Sequence, residues 1–210
     1  MAEHPSYVPE FDPVLHEYRW KGRILPSITT VLQAAGLYNL PPVEQDVLNL
    51  AAERSRRVHW ITVRMDRGLP GAEPSAAVRG YLDAYHNFCD AHVFTPHDSF
   101  TECPLCDPQL EIAGTPDRAG YLNGGGAVLD LKTFPQREAV TGIQLAGYRH
   151  LLRVNGFQAP RRVSVHLQPN GRFQVEEYRD FGDEAAFLAA LNLYRWRMRN
   201  LRKEHDARVS

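Results

Sequence analysis

Cysteine is scarce in this chain of 210 residues, which carries only Cys89, Cys103 and Cys106. An odd number of cysteines in a chain without an export signal makes a disulfide framework improbable. Long apolar runs are absent as well, because no stretch of 18 or more apolar residues occurs. Residues 1–13 also lack the basic start and the apolar segment of a secretory signal. We therefore expect a cytoplasmic protein that has no membrane partner.

Excess positive charge is also lacking, since the formal net charge is −1. This near-neutral balance excludes a protein that coats nucleic acid through bulk positive charge, so any contact with nucleic acid must be local. Basic residues concentrate in one predicted helix and near the C-terminus: Arg54, Arg56, Arg57, Arg64 and Arg67, then Arg195, Arg197, Arg199, Arg202 and Lys203. Each group is compatible both with a solvated helix face and with phosphate contacts.

The order of predicted elements indicates the fold class. The chain is long and apolar enough, at 43% hydrophobic residues, to form one domain around a single core. Hydrophobic periodicity and turn residues predict a hairpin over 16–25 and a short helix ending near Gly36, then helices over 44–67 and 76–91, strands over 100–105, 109–122 and 127–133, a helix over 138–154, strands over 162–168 and 172–179, and a final helix from Asp183. This order predicts an α/β (α+β) domain over 1–210 with a central mixed β-sheet flanked by helices.

Two acidic residues and a lysine are predicted to meet on neighbouring strands. Alternation along 127–133 places Asp130 and Lys132 on the same face, and a glycine-rich turn joins this strand to the one that carries Asp117. Pro116 interrupts the strand before Asp117, which predicts a bend that re-aims the carboxylate. Two converging carboxylates are tolerated most readily where a cation bridges them. Taken singly, the Asp130–Lys132 pair is also typical of a surface ion pair, and Asp117 of a turn.

His59 lies on a stripe of the predicted helix over 44–67. Steps of three and four place Leu48, Ala52, Ser55, His59 and Val63 on one face, so His59 points where the apolar face points. A single histidine on such a face is more often a buried, hydrogen-bonded side chain than a metal ligand. As a ligand, it would predict a preference for manganese over magnesium.

Cys103 and Cys106 have the spacing of half a zinc site, but a second half is missing from the sequence. A strand or turn is therefore the favoured interpretation. The alternative is a three-ligand site completed by Cys89 and a histidine such as His86 or His92.

Two segments together resemble a known family of enzymes. The run GTPDRAGYLNGGGAVLDLKT (114–133), followed after a short gap by QLAGY (144–148), is similar to the motifs of the PD-(D/E)XK nuclease superfamily, in its RecB-like and phage exonuclease-like branch. The combination is more specific than either part. The resemblance implies a restriction-endonuclease-like catalytic core over 44–168, preceded by a hairpin and short helix over 1–43 and followed by a strand and basic helix over 169–210.

The resemblance also implies residue roles. It makes Asp117 and Asp130 the catalytic acids, Lys132 the catalytic lysine, and His59 a metal ligand together with the two aspartates. Residues implied to bind substrate are Glu102, Arg118, Gln144 and Tyr148.

The function implied is that of a divalent-metal-dependent DNA nuclease, an exonuclease or end-processing enzyme that uses one or two Mg²⁺ or Mn²⁺ ions. Residues 11–32 are similar to the N-terminal region of phage-encoded members, which implies recombination or repair in a bacterial or phage-infected host cell. The implied partners are a DNA end or single strand and a protein recruiter such as a recombination or single-strand-binding protein. No iron–sulfur cluster is expected, since no cysteine follows Cys106. The alternatives are a catalytically inactive nuclease-fold DNA-binding or recombination subunit and a site-specific endonuclease of the same superfamily.

Overall fold

A computed structural model describes residues 4–38, 45–70, 73–134 and 138–209, apart from the side chains of Gln45 and of 202–209. In chain order, the elements of the first half are β1 (Glu10–Asp12), β2 (Glu17–Trp20), β3 (Arg23–Leu25), α1 (Ile28–Ala34), α2 (Gln45–Asp66), α3 (Ala76–His92), β4 (Phe94–Pro96), β5 (Leu105–Asp107) and β6 (Ile112–Gly114). Those of the second half are β7 (Arg118–Leu122), β8 (Gly125–Lys132), α4 (Ala139–Val154), β9 (Arg161–Leu167), β10 (Phe173–Glu177) and α5 (Gly182–Val209).

The central sheet is mixed and has the strand order β10-β9-β8-β7-β4. Strands β7 and β8 form an antiparallel hairpin whose turn residues Asn123 and Gly124 have φ of +50° and +78°. These left-handed conformations suit Asn and Gly. Strands β8 and β9 are parallel, because α4 crosses between them. The predicted mixed α/β architecture with helices around a central sheet is thus confirmed in this coarse form.

Helices cover both faces of the sheet, and the alternation of β8 divides its side chains between two apolar clusters. Val128 packs with residues of α1, α4 and α5 on one face. Leu129 and Leu131 pack with residues of α2 and α3 on the other. A leucine removed from water to this degree contributes about 1.5–3 kcal/mol, so both faces hold β8 in register.

Two predicted strands differ from the structure. The run over 109–122 is broken into β6 and β7, because Pro116 has no N–H to continue a ladder. Of the run over 100–105, residues 100–102 are turn and only Leu105 lies in a strand, and Glu102 adopts a φ of +48°. Short strands β1 and β4 were not predicted. Each has three residues, which is too short for an alternating pattern to be recognised.

The N-terminal sheet, in the order β1-β2-β3, packs against the small sheet of β5 and β6. The Tyr18 and Thr115 hydroxyl oxygens are 2.9 Å apart, and Ser27 forms an isolated parallel bridge with Ala113. Residues 1–3 and 39–43 of the predicted N-terminal region lie outside the described part of the chain, as does the start of the second predicted helix at residue 44. Among the helices described, none combines the length and the apolar character needed to cross a membrane.

Candidate metal centre

The site forms where the pairing of β7 with β8 ends. The register stops at Arg118 opposite Leu129, so the last three residues of β8 have no partner on that side. The Asp117 carboxylate fills the gap, since its Oδ2 accepts a 2.8 Å hydrogen bond from the Leu131 backbone N–H. The sequence therefore folds so that the proline-induced break turns Asp117 toward the end of β8.

Asp130 and Lys132 share a face of β8, as the alternation predicts. Lys132 Nζ lies 2.7 Å from Asp130 Oδ2, and the side chains are only 14% and 6% exposed, so this is a buried pair and not a surface ion pair. Burial lowers the pKa of Lys132, but the adjacent carboxylate outweighs that effect and raises it overall. The ammonium group is therefore protonated at neutral pH.

His59, Glu102 and Asp117 converge beside this pair. Each offers one ligand atom, and the three atoms lie within 4.8 Å of one another. His59 Nδ1 is 3.3 Å from Glu102 Oε1 and 3.5 Å from Asp117 Oδ1, while its Nε2 is 3.1 Å from the Leu131 carbonyl oxygen. Ligands on opposite sides of a small divalent ion are about 4.2–4.6 Å apart, so the spacing and the oxygen-rich donor set fit a hard cation.

The negative charges around His59 hold a proton on it. Burial lowers the pKa of His59, but the carboxylates of Asp117 and Glu102 more than offset burial and raise it to about 9. In the absence of a metal, the imidazolium thus balances the two carboxylates. A metal ion would replace that proton, because only a neutral imidazole nitrogen can act as a ligand.

The candidate ligand set differs from the expected one. His59 and Asp117 belong to it as expected, and Glu102, expected to bind substrate, is the third member. Asp130, expected to be a ligand, forms an ion pair with Lys132 instead. Within the described residues, it does not belong to a group of three or more side chains close enough to share an ion. The contact of His59 Nε2 with the Leu131 carbonyl was not anticipated, because a backbone oxygen leaves no signal in a sequence.

Arg118 does not lie where a substrate contact requires. Its side chain is 0% exposed and forms a 2.6 Å ion pair with Asp66. It also donates to Thr62 at 2.6 Å, to the Asp117 carbonyl at 2.7 Å and to Glu102 at 3.3 Å. The expectation of direct substrate binding is therefore corrected: Arg118 ties α2 to two candidate ligands from inside the protein.

Gln144 and Tyr148 lie on α4, next to each other as their spacing predicts. Gln144 Nε2 donates to the Tyr148 hydroxyl at 3.3 Å, and the Tyr38 hydroxyl donates to Gln144 Oε1 at 2.9 Å. Burial raises the pKa of Tyr148 well above its usual value, and the charges of Asp117 and Asp130 raise it further. Burial also raises the pKa of Tyr38 to about 12, so both tyrosine hydroxyls are protonated at neutral pH.

Two cavities border the candidate ligands. One, of about 410 Å³, lies between the N-terminal sheet and the core and includes Tyr18, Thr115 and Asp117 in its wall. The other, of about 670 Å³, follows α2. Pro13 and Glu102 border both.

The predicted apolar stripe of α2 faces the larger cavity. Ser55, His59 and Val63 line it, whereas the residues that reach the core are Val58 and Ile61. His59 thus points with the predicted stripe, and this stripe faces the cavity and not the core. Its ring lies at the edge of a cleft.

The two basic groups are only partly solvated. In α2, Arg64 donates to the Pro70 carbonyl, whereas Arg56 and Arg57 are exposed. Arg67, directly after this helix, donates to the Thr101 carbonyl. In α5, Arg195 and Arg197 donate to the Leu110 and Ala34 carbonyls. The side chains of Arg202 and Lys203 lie outside the described part.

The three cysteines are free. Cys106 is buried in strand β5, as the favoured interpretation expects, and Cys103 lies in the irregular segment directly before that strand. Burial raises the pKa of Cys106 to about 12, so its thiol stays protonated at neutral pH.

The chain matches no protein-family model. No curated protein matches it either. The function is therefore inferred from the geometry of the site.

Proposed function

We propose that the chain is a divalent-metal-dependent nuclease that hydrolyses phosphodiester bonds of DNA, as an exonuclease or end-processing enzyme of phage recombination or repair. One observation carries the proposal: His59, Glu102 and Asp117 converge next to a buried Asp130–Lys132 pair. A bound Mg²⁺ or Mn²⁺ ion would activate a water molecule and neutralise charge on the phosphate. The imidazole favours manganese.

The side chains have distinct roles in this proposal. His59, Glu102 and Asp117 would hold the ion. The Leu131 carbonyl, 3.1 Å from His59 Nε2, would keep a proton on that nitrogen and leave Nδ1 for the ion. The protonated Lys132 places a positive charge where negative charge develops on the phosphate. Its raised pKa favours this electrostatic role over removal of a proton from water.

Asp130 fixes the position of the Lys132 ammonium through the 2.7 Å contact. Tyr148 lines the cavity that includes Asp117 in its wall, and its hydroxyl is a donor suited to a phosphate oxygen. In the same proposal, the hairpin of β7 and β8, the crossover helix α4 and strand β9 correspond to the restriction-endonuclease-like core of the PD-(D/E)XK superfamily.

The test uses end-labelled linear, nicked and circular DNA, incubated with manganese, magnesium or EDTA. We expect cleavage of linear DNA with manganese, none with EDTA, and a loss of about 10²-fold in Lys132→Ala. Lys21→Ala, at the exposed turn of the N-terminal hairpin, is the matched control and should cleave normally. If Lys132→Ala does not fold, Lys132→Gln is assayed in its place, because glutamine keeps a hydrogen-bond donor beside Asp130 but carries no charge.

The same assay separates the alternatives. Cleavage of closed circles would favour a site-specific endonuclease, and DNA binding without cleavage under any metal would favour an inactive nuclease-fold subunit. Undiminished cleavage in a folded Lys132 variant would refute the mechanism.

A further inference from the structure

The cleft along α2 combines aromatic and basic side chains in one wall. It has a volume of about 670 Å³ and ends at His59 and Glu102, two of the candidate ligands. Its other lining residues include one tryptophan and three arginines: Trp60, Arg56, Arg64 and Arg67. A path therefore leads from an aromatic and basic surface directly to the candidate metal centre.

Trp60 is held in place but left accessible. Its residue surface is 53% exposed, although large aromatic side chains are usually buried. The Arg64 guanidinium lies 4.9 Å from the centre of the indole ring and is itself fixed by hydrogen bonds of 3.0 and 2.6 Å to the Pro70 carbonyl. The indole thus has a fixed neighbour on one side and is free to stack a further flat group.

The charge of the cleft is opposite to that of a phosphate backbone. Three arginines face it against one carboxylate, Glu102, which is engaged by His59 and Arg118. Arg56 and Arg67 are exposed. Since the whole chain has a net charge of −1, this positive cleft is a local feature.

We propose that the α2 cleft binds single-stranded nucleic acid, with one unpaired base stacked on Trp60 and neighbouring phosphates on Arg56 and Arg67. A base can stack on an aromatic side chain only when its face is free, which a duplex interior does not allow. An arginine-lined groove with an exposed aromatic ring is the combination that binds such a strand with little regard to its sequence. An apolar peptide would leave these charges uncompensated.

Binding of a strand in the cleft needs no turnover. This inference therefore rests on the proposed nuclease function in one respect only, namely that the bound strand leads to a site where it is cut. The test measures the anisotropy of a fluorescein-labelled oligothymidylate with the full chain in EDTA. We expect Trp60→Ala to weaken binding about tenfold or more. Trp196 on α5 is exposed to a similar degree, at 57%, and Trp196→Ala should bind as the wild type does.

Two further variants keep the test decisive. Trp60→Phe retains a stacking surface and should bind more tightly than Trp60→Ala. Arg56→Ala should weaken binding and reduce the slope of log affinity against log salt by about one. A duplex of the same length should compete poorly. Equal competition by duplex, or unchanged affinity in folded Trp60→Ala, would overturn the proposal.

The two proposals fail in different ways. Binding that depends on Trp60, in a chain that cleaves nothing with any metal, would refute the nuclease proposal alone. Cleavage together with binding that is independent of Trp60 would refute the cleft proposal alone.

Discussion

Asp117 accepts a 2.8 Å hydrogen bond from the Leu131 backbone N–H through one carboxylate oxygen and faces His59 at 3.5 Å with the other. The first contact replaces the ladder bond that β7 no longer supplies to β8. The second leaves one oxygen directed into the candidate metal centre. The carboxylate is thus oriented by the backbone before any ion binds, which lowers the entropic cost of binding.

Neutralising Asp117 is expected to weaken manganese binding. Asp117→Asn keeps an oxygen that can accept from Leu131 but removes the negative charge, so we expect manganese affinity to fall at least about tenfold in titration calorimetry. Glu102→Gln should act in the same direction. Glu53→Gln, an exposed position on α2, is the control and should bind normally. Wild-type affinity in Asp117→Asn would show that the ion, if bound, lies elsewhere.

The stability of the metal-free protein is expected to depend on pH through His59. Burial lowers the pKa of this residue, but Asp117 and Glu102 raise it overall from 6.5 to about 9. Protonated His59 therefore stabilises the fold fully below pH 6.5, and this contribution is lost as the pH rises through about 9. The free energy of unfolding in EDTA, from urea titrations, should fall by up to about 3 kcal/mol across this range. His59→Gln should lack the decrease, and an equal slope in both proteins would contradict the assignment.

Removing Arg118 is expected to destabilise the fold. Arg118→Met leaves Asp66 buried without its cationic partner, and breaking a buried pair in this way costs about 3–5 kcal/mol. Denaturant titration of the metal-free protein measures the loss. The double variant Arg118→Met with Asp66→Asn should recover part of it, whereas exposed Arg57→Met should change little. A loss below about 1 kcal/mol would mean that Arg118 is not the structural tie described above.

Gly80 is expected to tolerate no side chain. A Cβ atom at this position would lie 1.8 Å from the Pro169 carbonyl oxygen, so Gly80→Ala must push α3 away from the turn between β9 and β10. We expect a loss of about 1–3 kcal/mol in thermal or denaturant unfolding. Gly125→Ala is the control, since its nearest neighbours would be 3.7 Å away. Equal stability of the two variants would contradict this close packing.

The features that depend on local pattern were predictable from the sequence. Alternation placed Asp130 and Lys132 on one face, and Pro116 marked the break that turns Asp117, because both effects act within a few residues. The helices followed from periodicity in the same way. The exact nuclease-like core and the roles of these residues remain predictions.

The features that depend on distant contacts were not predictable. Glu102 joins the ligand group from a turn with positive φ, and Arg118 is buried because Thr62, 56 residues away, and Asp66 surround it. For α2, the periodicity correctly predicted which residues share one face of the helix, but not that this face borders a cleft. Ser55, His59 and Val63 line a cleft, and residues that line a cleft on one side of a helix repeat with the same 3.6-residue period as residues that face a core.

The N-terminal sheet has a consequence for how the chain can be trimmed. Pro13 and Tyr18 form part of the cavity walls beside Asp117. Tyr7, just before this sheet, donates its backbone N–H to Asn155 and accepts from the Cys106 N–H, which ties the N-terminal segment to the end of α4 and to β5. A fragment cut down to residues 44–168 would keep every candidate ligand but lose one side of the enclosure around them. Shortened versions intended for crystallisation or fusion should therefore begin before residue 7, or the exposed ligands would face bulk water.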